Sequence, residues 1–283
     1  MTTELSKDPV FDGIGYEPSL YSRSLYVPAK TNYDFTVYAK PNSDKNKKIL
    51  VVCTEDKYLT MANGKKFSTG NHPVETFVPL LHLNAAGFDA DIYTATGQPV
   101  CLEMWAMPSE DDAVKEIYEK YKSQLEHPKS LKDFVANNMK SDSEYIAVFI
   151  PGGHGALISL PMNEDLEKVI YWIIKEDKYM MAICHGPAEL LSAAINKDKN
   201  DYPYKGYKIN SFPDAVDRQL PSIGYLPGDV PWFYGEKLTG LGVNILNNDV
   251  TGACHADRKL LSGDSPLAAN AFGKMCANTL LGE

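Results

Sequence analysis

Apolar residues along this chain fall into two patterns. Short continuous runs at 49–53, 145–150 and 180–183 carry no charge, as strands buried on both faces of a sheet do. Residues 91–95 form a further strand, ended by Gly97-Gln98-Pro99. Between the runs, apolar positions recur every three or four residues. Over 74–86 they fall at Val74, Phe77, Val78, Leu81 and Ala85, with Pro73 opening the helix and Gly87 closing it. Stretches 111–125, 131–139 and 165–174 read as amphipathic helices, the last with Leu166, Val169, Ile170 and Ile173 on one face. Further along, 207–211, 243–246, 249–253 and 259–262 read as short strands, 235–241 as a helix and 266–281 as the final helix. Strands alternating with helices predict an α/β fold, an open and mostly parallel sheet with helices on both faces. Sites in such sheets lie at the carboxyl ends of strands.

Three stretches lack this patterning. Residues 1–44 are rich in Pro, Tyr, Ser and Asp, and their tyrosines suggest an extended segment lying on the body. Residues 54–71 form a polar stretch longer than a usual connection after a parallel strand, a place that shapes a site or carries a small cap. Residues 221–234 are rich in Pro, Gly and aromatics.

Composition narrows the classes. A length of 283 residues allows one large α/β domain or two smaller ones, and 44% hydrophobic with 23% charged residues is ordinary for a globular chain. A net charge of −9 and a pI near 5.2 argue against a nucleic-acid surface, which needs a basic face. The apolar runs are too short to span a bilayer, and the first residues show no signal-peptide pattern. Five scattered cysteines with no C-x-x-C pair fit a reducing cytoplasm and disfavour a zinc ribbon.

Candidate chemistry centres on Cys184. The buried run before it stops abruptly, and Gly186-Pro187 opens a helix-forming stretch over 188–194. A side chain on such a strand-to-helix turn is held out at the sheet edge, as in a nucleophile elbow. A helix N-terminus and the adjacent His185 both promote thiolate character. In Pro151-Gly152-Gly153-His154-Gly155 the glycines let backbone N–H groups approach a ligand, which suits an oxyanion hole; His154 and Gly186 join that candidate set. Glu75 sits in the first turn of its helix, where the macrodipole favours a carboxylate. Asp214, in Phe212-Pro213-Asp214, can orient the histidine as a third group.

Three of these motifs carry a resemblance: Ala182-Ile183-Cys184-His185-Gly186-Pro187, Pro151-Gly-Gly-His-Gly155 and Gly70-Asn-His-Pro-Val-Glu75. They resemble the ThiJ/PfpI superfamily of the class I glutamine-amidotransferase-like fold, and within it the HchA-type group described as heat-inducible chaperones, glyoxalase III enzymes and protein/nucleotide deglycases. The resemblance implies a flavodoxin-like body over 45–283, a small extra domain from the N-terminal stretch, 54–71 and part of 221–234, and a homodimer. It also implies Cys184 as nucleophile, His185 as its partner, Asp214 as third triad member, Glu75 as the carboxylate on the thiol and Gly153 as an oxyanion donor. HchA-type proteins often hold a metal on two histidines and a carboxylate. The aligned positions here are Asn84, Asp89 and Tyr121, poor in the imidazole such metals favour, while His82 and His127 lack the spacing. No metal and no cofactor are therefore expected.

The expected function is a cofactor-independent glyoxalase acting on small dicarbonyls, methylglyoxal or glyoxal, with deglycase action on glycated proteins or nucleotides. A holdase chaperone binding unfolded proteins is the second reading, with 225–234 and the tyrosine-rich start as contributors. Cysteine peptidase or amidase chemistry is the third, disfavoured because the crowded elbow suits small carbonyls.

Overall fold

The computed structural model describes residues 4–195 and 197–282. The first three residues of the expected N-terminal segment, and Asn196 and Glu283 of the expected body, lie outside the described residues. A seven-stranded sheet organises the chain. Its strands are β1 (Lys48–Val52), β2 (Asp89–Thr94), β3 (Lys129–Ser130), β4 (Tyr145–Ile150), β5 (Tyr179–Ile183), β6 (Cys254–Asp257) and β7 (Leu260–Gly263), in the order β6-β7-β5-β4-β1-β2-β3. All neighbours are parallel except β6 on β7. The order switches direction between β1 and β4, the place where doubly wound sheets open a crevice at their carboxyl edge.

Alternation along the strands supplies two cores. Leu50, Val52, Val148, Ile150, Met180 and Ala182 face one, and Ile49, Val51, Ala147, Phe149, Met181 and Ile183 face the other. Each Val, Leu, Ile, Phe or Met among them, fully buried, contributes about 1.5–3 kcal/mol. Four long helices cover the sheet: α1 (Pro73–Ala85), α2 (Asp112–Glu126), α3 (Glu164–Lys175) and α4 (Ala269–Leu281). Residues of α1, α2 and α4 join the Phe149 core, and those of α3 join the Leu50 core. A Cβ on Gly273 would come within 2.7 Å of the His82 ring and 2.9 Å of Pro79 Cα, so that glycine lets α4 lie hard against α1. No helix among the described residues is long and apolar enough to cross a membrane.

The fold is therefore the mostly parallel α/β sheet that the patterning predicts, in the flavodoxin-like form that the resemblance implies, with local differences. The stretch 54–71 contains a hairpin, Tyr58–Thr60 with Lys66–Ser68, and the N-terminal strands Val10–Phe11 and Tyr16–Glu17 extend it into a four-stranded sheet. The expected strand at 249–253 is absent: its N–H groups at Thr251, Gly252 and Ala253 instead wrap the buried Asp264 carboxylate, and the edge strand forms just after it as β6. The expected strand at 207–211 shrinks to Lys208–Ile209, paired in parallel with Asn244–Ile245. After the elbow, Gly186–Ala194 winds as a 3₁₀ helix rather than an α-helix.

Candidate active site

Cys184 follows β5 directly and takes φ +59, a left-handed conformation that costs a non-glycine residue about 1–3 kcal/mol. Three distant segments hold it there. Its N–H donates to the Gly263 carbonyl at 2.9 Å, and its own carbonyl accepts from Phe212 N–H at 3.0 Å and from the Tyr234 hydroxyl at 3.0 Å. The tight 3₁₀ start, with Ala188 N–H on the His185 carbonyl at 2.9 Å, needs glycine at 186, where a Cβ would come within 2.6 Å of the Ile150 carbonyl oxygen.

The thiol lies 3.3 Å from His185 Nδ1, and His185 Nε2 lies 2.9 Å from Asp217 Oδ2. The other oxygen of Asp217 lies 3.0 Å from His154 Nε2, so one carboxylate serves two imidazoles whose centroids are 4.1 Å apart. Phe212 stacks on the His185 ring at 4.6 Å and fixes its plane. Burial pushes the Asp217 carboxyl up, but the His185 and His154 charges and hydrogen bonds outweigh it and hold Asp217 below the usual carboxylate range. The orienting acid is thus Asp217, and the expectation of Asp214 is corrected. Asp214 lies on the preceding turn, and its oxygens accept from Gly235 N–H at 3.0 Å and Glu236 N–H at 2.8 Å. Those two free donors at the start of the Tyr234–Gly240 helix draw it away from the histidine.

Glu75, fully buried in the first turn of α1, reaches the thiol from the other side. Neither of its oxygens finds a nitrogen or oxygen donor; the hydrogen-bonding group beside it is the Cys184 thiol. Burial pushes Glu75 well up, the thiol contact opposes this, and the Glu103 and Asp264 charges add to it. The thiol too is pushed up by burial and by Glu75, against the pull of the Gly153 N–H. The resting pair therefore holds its protons, with Glu75 a neutral acid able to donate. Gly152 makes the approach possible: a Cβ there would collide with Glu75 Oε2 and come within 2.6 Å of Cys184 Cβ. Gly153, at φ +102, turns its N–H to the sulfur.

Sequence reasoning brought Cys184, His185, Glu75, Gly152, Gly153, His154 and Gly186 to one place, though His154 bonds Asp217 and not a candidate oxyanion. It missed Asp217, and also three groups around them. His72 caps α1, and burial and the neighbouring histidines push it down to about 3, so it stays neutral. Glu103 is buried beside His154, accepting its N–H at 3.3 Å. Tyr225 packs on the His154 ring at 6.1 Å. A Gly-Asn-His preceding a helix was a readable signal for His72; Glu103 and Tyr225 sit in irregular stretches without one.

This site can move a proton from sulfur to imidazole, hold the imidazolium against Asp217, and meet a developing oxyanion with a backbone N–H and a neutral carboxyl. The metal positions expected from the resemblance do not fit an ion. Asn84 donates to the Tyr121 hydroxyl at 2.9 Å and accepts from the Lys120 ammonium, while Asp89 pairs with Lys45 at 3.4 Å. His127 is exposed, and His82 is buried between Tyr38 and Asn270. Among the described residues, the cluster close enough to share an ion is His154, His185 and Asp217, within 4.8 Å, and its own hydrogen bonds already pair those atoms.

A flavodoxin-like sheet with a buried cysteine on a strained elbow, backed by histidine and acid, defines a thiol-centred α/β protein of the class I glutamine-amidotransferase-like type. The chain belongs to the DJ-1/PfpI family, whose model matches residues 66–210, and within it to the HchA group. It is 50% identical to the protein/nucleic acid deglycase HchA of Pseudomonas aeruginosa over 93% of this chain and 91% of that one. Against the protein/nucleic acid deglycase HchA of Escherichia coli O157:H7 the identity is 47%, covering 99% and 98%. The structure of Candida albicans glyoxalase III matches with TM-score 0.63 at 23% identity, over 82% of this chain and 98% of that one, a likeness of fold.

Proposed function

We propose that this chain is a cofactor-independent glyoxalase and deglycase, in which the Cys184 thiol adds to small dicarbonyls such as methylglyoxal or to the adducts they form. The observation that carries it is the setting of the thiol: Cys184 is only 4% exposed, and its sulfur sits between a buried acid and an imidazole, an enclosure that favours a small carbonyl over a peptide chain. The deglycase names of relatives at 50% and 47% identity support it. His185 takes the thiol proton as sulfur bonds the aldehyde carbon, and Glu75 protonates the resulting oxyanion beside Gly153 N–H. The Glu75 carboxylate then removes the hydrogen from that carbon, and imidazolium protonates the neighbouring oxygen, giving an enediol. Glu75 returns a proton to the second carbon while His185 takes the hydroxyl proton of the first, leaving a lactoyl thioester. Water adds, its proton passes to Glu75, and the thiol leaves protonated by His185. One carbon is oxidised and its neighbour reduced, so no outside oxidant is needed. The test is purified protein with methylglyoxal and no glutathione, following lactate. Native production by Cys184→Ala or Glu75→Gln would sink the reading.

A second, binding role toward unfolded chains draws support from the exposed apolar side chains Phe11, Ile14, Phe35 and Val37 of the N-terminal segment. Aggregation of a denatured client should then be suppressed equally by Cys184→Ala. No suppression by either protein removes that role.

A further inference from the structure

Two polar side chains near the thiol each carry an oxygen with no hydrogen-bond partner among the described residues. Glu103 is held by Thr69, whose hydroxyl donates to Oε1 at 2.6 Å, and by the His154 N–H on the same oxygen. Its Oε2 is buried and without a partner. The backbone around it is fixed: Glu103 N–H donates to the Asn71 carbonyl at 3.0 Å, beside the bridge of Leu102 to Asn71. Tyr225 is half-buried nearby, its ring seated against Trp105 at 5.7 Å, His154 at 6.1 Å and Phe67 at 6.2 Å. The charges of Glu103, Cys184, Glu75 and Asp217 all act on its phenol, and among the described residues that hydroxyl has no hydrogen-bond partner. Buried polar groups are ordinarily paired. Glu103 Oε2 is such an orphan, and the half-buried Tyr225 carries an unpaired hydroxyl within reach of the Glu103 and Cys184 charges; a molecule bound to the sulfur can pair both.

We propose that Glu103 and Tyr225 form the second half of the substrate site, a carboxyl and a phenol that hydrogen-bond the oxygen on the carbon next to the one Cys184 attacks. They thereby select α-oxoaldehydes over aldehydes with a single carbonyl. The inference rests on the glyoxalase reading for which carbon the sulfur attacks. It assigns the discrimination to two residues that take no part in the proton transfers. Burial pushes both groups up, which favours the neutral donor form that a carbonyl oxygen needs.

The test reads binding rather than turnover. Alkylation of Cys184 by iodoacetamide is followed by mass spectrometry on the full chain, with methylglyoxal or propanal as the protecting aldehyde. The quantity compared is the ratio of their half-protecting concentrations, in which the intrinsic reactivity of each aldehyde cancels between variants. Tyr225→Phe and Glu103→Ala should each reduce the preference for methylglyoxal by about tenfold. Glu103→Gln, whose amide keeps a donor, should stay within about twofold of the parent. If Glu103→Ala fails to fold, Tyr225→Phe decides alone. A parent-like ratio in Tyr225→Phe, or a ratio in Glu103→Gln as low as in Glu103→Ala, overturns the proposal. Lactate assays on the parent separate the two readings: expected ratios without lactate leave the subsite standing and remove the glyoxalase, whereas lactate with unchanged ratios removes the subsite alone.

Discussion

Asp217 shares its carboxylate between His185 and His154, and losing it leaves both imidazoles without their Nε2 partner. Asp217→Asn should lower kcat for lactate formation by about 10²–10⁴. Asp214→Asn should leave kcat within a few-fold and lower stability by about 1 kcal/mol, since that side chain serves the N–H groups at the start of Tyr234–Gly240. Steady-state kinetics and urea unfolding on the pair separate the two roles. These acids lie one helical turn apart, and which turns inward is decided by Gly235 and Glu236, some twenty residues on; the motif alone could not choose. Glu75 was legible because its place in a first helical turn is local. Its carboxyl is raised in the folded chain, so the fold retains a proton that the unfolded chain releases near pH ~4.3. The stability tied to Glu75 is complete below that pH and declines as pH rises toward the folded value. Glu75→Gln should therefore melt higher than the parent at about pH 7, with the gap closing toward about pH 4, while lactate formation is lost. Thermal melts across that range check the sign.

At the scale of elements, the runs that form β1, β4 and β5 were readable because both faces of each are apolar. The edge was not, because β6 is short and half-covered and 249–253 spends its N–H groups on Asp264. The glycine turn after β4 was readable for the reason that makes it fragile. Gly152→Ala forces a methyl against Glu75 and Cys184 together, and activity should fall by at least about tenfold from the displaced acid and sulfur. Circular dichroism and lactate kinetics would tell that local effect from unfolding. Glu103 and Tyr225 fell outside any periodicity, since one lies in an irregular crossing beside Asn71 and the other follows the short Leu220–Ile223 turn.

At the scale of the whole molecule, the N-terminal segment reaches the site through its support of Tyr225. Ser22 Oγ and Ser19 Oγ donate to the Ile223 carbonyl at 2.6 and 3.2 Å, Ser19 N–H donates to the Gly224 carbonyl at 2.8 Å, and Tyr26 packs on Tyr225 at 6.1 Å. The double change Ser19→Ala with Ser22→Ala should raise KM for methylglyoxal by about threefold to tenfold, with kcat little altered and faster proteolysis within 220–230. Unchanged KM would mean that the segment does not steady Tyr225. The clamps on Cys184 have a consequence for the making of the protein. They come from Phe212, Tyr234 and Gly263, all downstream of the cysteine. During synthesis the thiol emerges before any of them exists. Until the chain has passed Gly263, Cys184 is an ordinary cysteine on an unfinished strand. The elbow, with its left-handed backbone and its place beside Glu75, therefore forms only once Gly263 has joined the sheet.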